Sequence, residues 1–364
     1  MRVLLFGTYD TRRHPRVGIL RHGLQAAGAN IAECNVPWGL DTDARVAILR
    51  RPWRLPLLLV SLAAAWARLL RRSRGVGSVD AVLVGYLGHF DVVLARLLFR
   101  RTPIALDHLI SASDTGTDRG ESGAIKQLLL RAIDAAALRC ADIVVVDTVE
   151  HAELLPEQHR HKAVVCPVGA PQQWYAARRP RSVTAEGSLR VVFFGQYTPL
   201  QGAPTIGSAA ALLAGDNVEL TMIGSGQEFA AARAAADGAK VDWQGWVEPE
   251  DLPAVVASYD VCLGIFGTGP KALRVVPNKV FQGAAAGCAL VTSDTAPQRR
   301  LLGDAAVFVP PGDPHALAGA LSELAAQPQR VASLRQAAAD LADHSFTAEA
   351  VAAPLWERLC NGGR

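Results

Sequence analysis

The chain has 364 residues, half of them hydrophobic, with a formal charge of +3 at pH 7 and an isoelectric point near 8.6. That length suits two domains of ordinary size, each with a sizeable core. So mild a charge, with no aromatic residues interleaved among the basic ones, excludes nucleic acid as the main partner.

The chain opens on MRVLLFG, whose apolar run is too short for a secretory h-region and reads as a first buried strand, so a cytoplasmic protein is expected. The loop GTYDTRRHPR follows. Gly7 and Thr8 there can present backbone donors, and Arg12, Arg13 or Arg16 can bind an anionic sugar or acceptor; a solvated basic loop is the competing reading. A helix through RVGILRHGLQAAG comes next.

Residues 50–74, RRPWRLPLLLVSLAAAWARLLRRSR, have an apolar middle bracketed by arginines. The uninterrupted apolar part falls short of the roughly 20 residues that span a bilayer. Two readings stand: a buried helix, or a helix lying on an anionic membrane surface with Trp53 and Trp66 at the interface and arginines at the headgroups.

Short β-branched runs then alternate with Ala- and Leu-rich stretches: AVLVGY and DVVLARLLFR, PIALD, DIVVVD and VEHAELL. The rhythm restarts with RVVFFG and APTIGSAAALLA, VELTMIG and QEFAAARAAA, YDVCLGIF, NKVFQGAAAG and ALVTSD, AVFVPP and HALAGALSELAA. This predicts two Rossmann-like α/β units with parallel sheets covered on both faces. The polar stretch AARRPRSVTAEGS reads as a linker. The expected division is 1–175, a linker at 176–188, 189–345, and a C-terminal amphipathic helix over 346–364 that packs back on the first domain. By the strand-order rule, the ligand site is expected in a cleft at the carboxyl ends of both sheets. The six cysteines, Cys34, Cys140, Cys166, Cys262, Cys288 and Cys360, stand in apolar contexts with no C-x-x-C pair, as buried thiols of a reducing compartment do.

Three places carry chemistry. Neither unit has G-x-G-x-x-G after its first strand, which argues against a dinucleotide cofactor; Gly224 and Gly226 after VELTMI suit a tight turn or a close backbone approach. GTGPKALRVVPNKVFQGAAAG sets Lys271, Arg274 and Lys279 around Pro277-Asn278, which looks like a helix entrance and hence an anion site. ALDHLISASDTGTDRG gathers Asp107, His108, Asp114, Asp118 and Arg119 after a strand, where a functional His or Asp competes with a structural one. The mixture invites a metal, but no repeated ligand spacing supports one, and no metal site is expected.

In order and spacing, VVFFGQYTPLQG, LTMIGSGQE, VDWQGWVEPEDLPAVVASYDVCLGIF, PNKVFQGAAAGCALVTSD and AVFVPPGDPHAL resemble the donor domain of glycosyltransferase family 4, retaining sugar-nucleotide transferases of GT-B fold. The first half, with GTYDTRRHPRVGILRHGLQAAGANI and ADIVVVDTVEHAELL, resembles that family's acceptor domain. The resemblance implies a nucleoside diphosphate sugar as donor, UDP- or GDP-linked, a small-molecule, glycan or lipid-linked acceptor, and no cofactor or bound metal. The family's G-R-L-x-x-x-K-G loop falls on Gly195 to Gly202, where Gln196 and Gln201 replace its Arg and Lys. Its E-x7-E pair falls on Arg274 and Gln282. The exchanged set implies a diphosphate grip by Lys271, Arg274 and Lys279, with Gln282 hydrogen-bonding a ribose. Donor contacts are then implied at Gly7, Thr8, Gly195, Gln196, Gln201, Gly202, Gly224, Val247, Pro277 and Asn278. Asp107, His108, Arg274 and Lys279 are implied as catalytic, and Tyr9, Arg16, Asp114 and Arg119 as acceptor contacts. A sugar-nucleotide epimerase or hydrolase on the same scaffold, and a noncatalytic partner of another transferase, are the alternatives.

Overall fold

The structure, a computed structural model, describes residues 1–11, 15–38, 55–109, 111, 124–179 and 187–362. Arg12, Arg13, Trp53, Asp114, Asp118, Arg119 and most of the expected linker lie outside the described residues. The chain divides into two compact units, Met1–Pro167 with Ala348–Arg364, and Val168–Thr347.

The first unit runs β1 Arg2–Gly7, α1 Arg16–Ala26, β2 Asn30–Asn35, α2 Leu55–Ser73, β3 Ala81–Val84, α3 Asp91–Leu98, β4 Ile104–Asp107, α4 Ala124–Cys140, β5 Ile143–Val146, α5 Val149–Leu154, α6 Glu157–Arg160 and β6 Ala163–Val165. Its six strands are parallel, in the order β2-β1-β3-β4-β5-β6. Runs such as VLLF, AVLV and IVVV are apolar at every position because both faces are covered. Val3, Leu5, Leu83 and Val145 face α1 and the C-terminal helix Ala348–Cys360. Leu4, Phe6, Val82, Val84 and Val144 face α2, α3 and α4. The C-terminal helix presses so closely on α1 that a Cβ at Gly23 would lie 2.0 Å from the Ala348 carbonyl oxygen.

The second unit begins with α7 Gln172–Ala177 and β7 Leu189–Phe194, then a 3-10 turn Pro199–Gln201, α8 Ala203–Leu212, β8 Val218–Ile223, α9 Phe229–Ala235, β9 Val241–Gln244 and α10 Leu252–Val256. It continues with β10 Val261–Leu263, α11 Asn278–Ala285, β11 Ala289–Ser293, α12 Ala296–Leu302, β12 Ala306–Val309, α13 Pro314–Ala325 and α14 Pro328–Ser345; the C-terminal helix is α15. Its parallel order is β12-β11-β10-β7-β8-β9. Strand order reverses between β1 and β3 in the first unit and between β7 and β10 in the second, and ligands of open α/β sheets bind at such points.

Contacts part the chain at Val168, ahead of the boundary expected at 175. The reason is α7: Trp174 stacks on Phe194 with ring centroids 5.6 Å apart, and the Ala170 N–H donates to the Phe346 carbonyl. Three strands had weak signatures. The sequence NIAECN of β2 is half polar, β6 has three residues, and VDWQ of β9 is an edge strand with no fully buried position. The cysteines also divide: Cys34, Cys166, Cys262 and Cys288 are buried, Cys140 is half-buried and Cys360 is exposed.

Candidate active site

In the second unit the loop after β7, Gly195 to Gly202, is fixed by backbone on three sides. Tyr197 N–H donates to the Ser225 carbonyl, and Phe266 N–H to the Gln201 carbonyl. Gly202 has φ +65°, and a Cβ there would lie 2.4 Å from the Phe266 carbonyl carbon; Gly224 has φ +118°, and its Cβ would meet the Gly195 oxygen at 2.1 Å. Only glycine fits either place. Gly224 is therefore a close backbone approach, and what approaches is the neighbouring loop.

Into the floor of this loop rises Lys279, the second residue of α11. Pro277 is extended and no side chain caps the helix, so its first N–H groups are available to an anion. Lys279 is 4% exposed. Its Nζ donates to Gln201 Oε1 at 2.5 Å, sits 3.5 Å from the Phe193 ring centroid, and would be 3.5 Å from a Cβ at Gly195. Among the described residues no carboxylate pairs with it. Burial pushes the amine well below the ordinary lysine range.

Asn278 is exposed and Gln282 half-buried, one turn apart on the same side of α11. Thus Gly195, Gln201, Gly202, Pro277, Asn278, Lys279 and Gln282 come together at the β7/β10 switch point. Gln196 is exposed on the same loop, and Val247 is half-buried in the segment after β9. Arg274 is anchored within its own loop, its Nε donating to the Pro270 carbonyl at 2.8 Å, and Lys271 is half-buried three residues before it. Of the three expected cations, Lys279 is the buried one, and it is set against the Gly195 to Gly202 loop through Gln201.

The first unit treats its charges differently. Arg16 is 2% exposed; its Nε donates to Asp107 Oδ1 at 2.8 Å and its other nitrogens to the Pro167 and Cys166 carbonyls at 2.9 and 3.0 Å. Every nitrogen of Arg16, expected as an acceptor contact, is engaged inside the unit, clamping α1 to the ends of β4 and β6. Burial pushes the Asp107 carboxyl up, and Arg16 opposes it. Thr8 likewise is no free donor, because its N–H and hydroxyl both reach Asp91 Oδ2 at 2.8 Å; Gly7 packs against the same carboxylate. Tyr9 is buried, with its hydroxyl donating to Glu33 Oε1 at 2.8 Å.

His108 fares better as a candidate. It is buried at the end of β4, its Nδ1 has no hydrogen-bond partner among the described residues, and burial pushes its pKa down to about 3. Its ring centroid is 5.1 Å from that of His89, whose Nε2 lies 3.2 Å from Asp134 Oδ1; Ser111 Oγ donates to the other oxygen of Asp134. Ligating atoms of His89, His108 and Asp134 all fall within 4.8 Å, the one such group among the described residues. His89 was not among the residues expected from the sequence; its signal there is GYLGH, which follows the strand AVLV at the switch point. Leu87 in that loop has φ +62°, strain of the kind that clusters at functional sites.

Residues 188–327 match the family described as Glycosyl transferases group 1. No curated protein matches the sequence. Among solved structures, a sucrose-phosphate synthase from Thermosynechococcus elongatus aligns over 99% of both chains with a TM-score of 0.72 at 14% identity. HepE of Anabaena, in complex with UDP and glucose, aligns over 99% of this chain and 100% of its own, with a TM-score of 0.70 at 15% identity. An α,α-trehalose-phosphate synthase (UDP-forming) from Burkholderia xenovorans aligns over 77% of this chain and 73% of its own, with a TM-score of 0.57 at 14% identity. The fold is GT-B, as expected from the sequence, and the match to the group 1 glycosyltransferases falls on the second unit.

Proposed function

We propose that the protein transfers a glycosyl group from a nucleoside diphosphate sugar to an acceptor nucleophile with retention at the anomeric carbon. The observation that carries this reading is Lys279: a buried lysine amine with no carboxylate partner among the described residues, beside uncapped helix N–H groups. Such a site is costly for the empty protein and is relieved by an anion of the size and charge of a diphosphate. The group 1 domain over this segment supports a sugar nucleotide as that anion's source. The UDP in HepE and the UDP-forming synthase favour uridine over guanosine.

The donor diphosphate rests on Lys279 Nζ and the Asn278 and Lys279 N–H groups, with Gln282 toward the ribose and Val247 toward the base. The bond from the anomeric carbon to the β-phosphate oxygen breaks as the bond to the nucleophile forms on the same face. The nucleophile's proton passes to the leaving phosphate oxygen, so no protein base is consumed. Lys279 stabilises the charge that grows on that diphosphate, and the anion's arrival raises the amine's pKa from its burial-lowered value. Arg274 and Lys271 supply further charge from the loop before α11. In the first unit His108, held neutral, serves as a hydrogen-bonding contact for the reacting sugar. Asp107 positions that strand end through Arg16. The acceptor is a glycan, a lipid-linked sugar or a small metabolite, and the scheme uses no resident cofactor or metal.

The test is nucleotide release from UDP-glucose and GDP-mannose with and without an acceptor panel, with the product's anomeric coupling read by NMR. Acceptor-dependent release and a product of the donor's configuration are expected. Equal release or epimerisation from donor alone would replace transfer by hydrolysis or epimerisation, and an inverted product would end the retaining scheme.

A further inference from the structure

We propose that the outer side of α2, α3 and α4 is a docking surface for an anionic lipid bilayer. These helices cover one face of the first sheet, burying Ala65, Leu69, Val92, Ala95, Ala137 and Leu138 in a single core with Leu4, Phe6 and Val84. A helix that has buried one stripe in a core should turn a polar stripe outward. Here it does not. On α2, Leu57 and Val60 are 71% and 68% exposed, while Leu62, Ala65 and Leu69 face inward. On α3 Leu97 is 57% exposed, and on α4 Leu128 and Leu129 are 70% and 51% exposed. Seven of the thirteen exposed large apolar side chains among the described residues lie on these three helices. Large apolar groups gathered on one side of a fold mark an interaction surface.

Charge selects the partner. Arg68, Arg71, Arg131 and Arg139 are exposed on the same helices. Among the described residues of α2, α3 and α4 the acids are Asp91 and Asp134, and both are buried. A surface of leucines and arginines with no exposed acid matches acyl chains below and anionic headgroups around, the pattern of an interfacial helix. Among the described residues no helix is long and apolar enough to cross a membrane. Two expectations change as a result. The buried-helix reading of residues 50–74 fails for the described part, because one face of α2 is open. Trp66 is not an interfacial anchor either: it is half-buried, its indole N–H donating to Asp91 Oδ1 at 3.1 Å. The surface also extends beyond that segment to α3 and α4. It stands on the first unit alone and holds whether or not the donor assignment does.

The experiment is cosedimentation of the full chain with vesicles of phosphatidylglycerol and phosphatidylcholine, and of phosphatidylcholine alone. Binding at least tenfold stronger to the anionic vesicles is expected, weakened but not abolished by salt, as arginines and leucines share the contact. Leu57→Ser with Val60→Ser, and Leu128→Ser with Leu129→Ser, should each lower binding about tenfold; all four side chains are exposed, so an unchanged thermal midpoint serves as the folding control. Unchanged binding by both double variants, or equal binding to the neutral vesicles, overturns the proposal. So does a dimer in sedimentation velocity that these variants dissolve without vesicle binding, which would make the surface a contact between two copies.

Discussion

The two units solve the same problem in opposite ways at the switch points of two parallel sheets whose strand orders differ. At the carboxyl ends of the first sheet, buried carboxylates are answered within the unit: Asp107 by Arg16 and Asp91 by Thr8. At the β7/β10 switch point Lys279 is as deeply buried, yet its partners are a neutral amide and an aromatic ring. The Arg16–Asp107 and Thr8–Asp91 pairs act as a structural clamp, and His108 is the buried side chain beside them whose Nδ1 has no hydrogen-bond partner among the described residues. A buried lysine amine with no carboxylate partner among the described residues, beside helix N–H groups, is poised for an anionic ligand, at a cost to the empty fold.

The largest effect expected from breaking this contrast is in the first unit. Arg16→Ala leaves Asp107 buried without its cation and should destabilise by about 3–5 kcal/mol, read from urea midpoints. Arg16→Met with Asp107→Leu should recover most of that loss. In the second unit the same operation has the other sign: Lys279→Met should raise the thermal midpoint of the empty protein while lowering turnover by about 10²–10³. A destabilised Lys279→Met would show that the lysine is structural after all.

Gln201→Glu sharpens the comparison by giving Lys279 an internal carboxylate 2.5 Å away, where Gln201 Oε1 now stands. The second site then resembles the first, and UDP affinity should fall by about tenfold or more with no loss of stability. The smallest effect is a slope. The folded pKa of His108, about 3, lies below its ordinary 6.5, so the folded state resists a proton that the unfolded chain accepts. Stability is therefore lost as pH falls from about 6.5 toward 3, by at most about 1.4 kcal/mol per pH unit from this group. His108→Asn should flatten the dependence of the urea midpoint on pH across that window.

Much of the fold was legible because parallel strands covered on both faces must be apolar throughout, so VLLF, AVLV and RVVFF announce themselves. Strands with edges or polar alternation, NIAECN and VDWQ, did not. The candidate site was legible in part. PNK marked a helix entrance with a cation, and α11 begins there. Sequence alone could not rank Lys271, Arg274 and Lys279, since burial separates them and burial is set by the whole unit. Nor could it see that Arg16 and Asp107, 91 positions apart, neutralise each other. The arginine that looked like a ligand for an acceptor is the partner of the aspartate that looked catalytic.

The central claim is that Lys279 receives the donor diphosphate, and isothermal titration of UDP and GDP in buffers of different ionisation enthalpy tests it most directly. Because burial holds the amine's pKa low, a bound diphosphate should raise it. The account predicts net proton uptake on binding, at a pH above the empty-state pKa, and loss of both the uptake and at least tenfold in affinity in Lys279→Met. Binding by Lys279→Met with unchanged affinity and the same proton balance would contradict it.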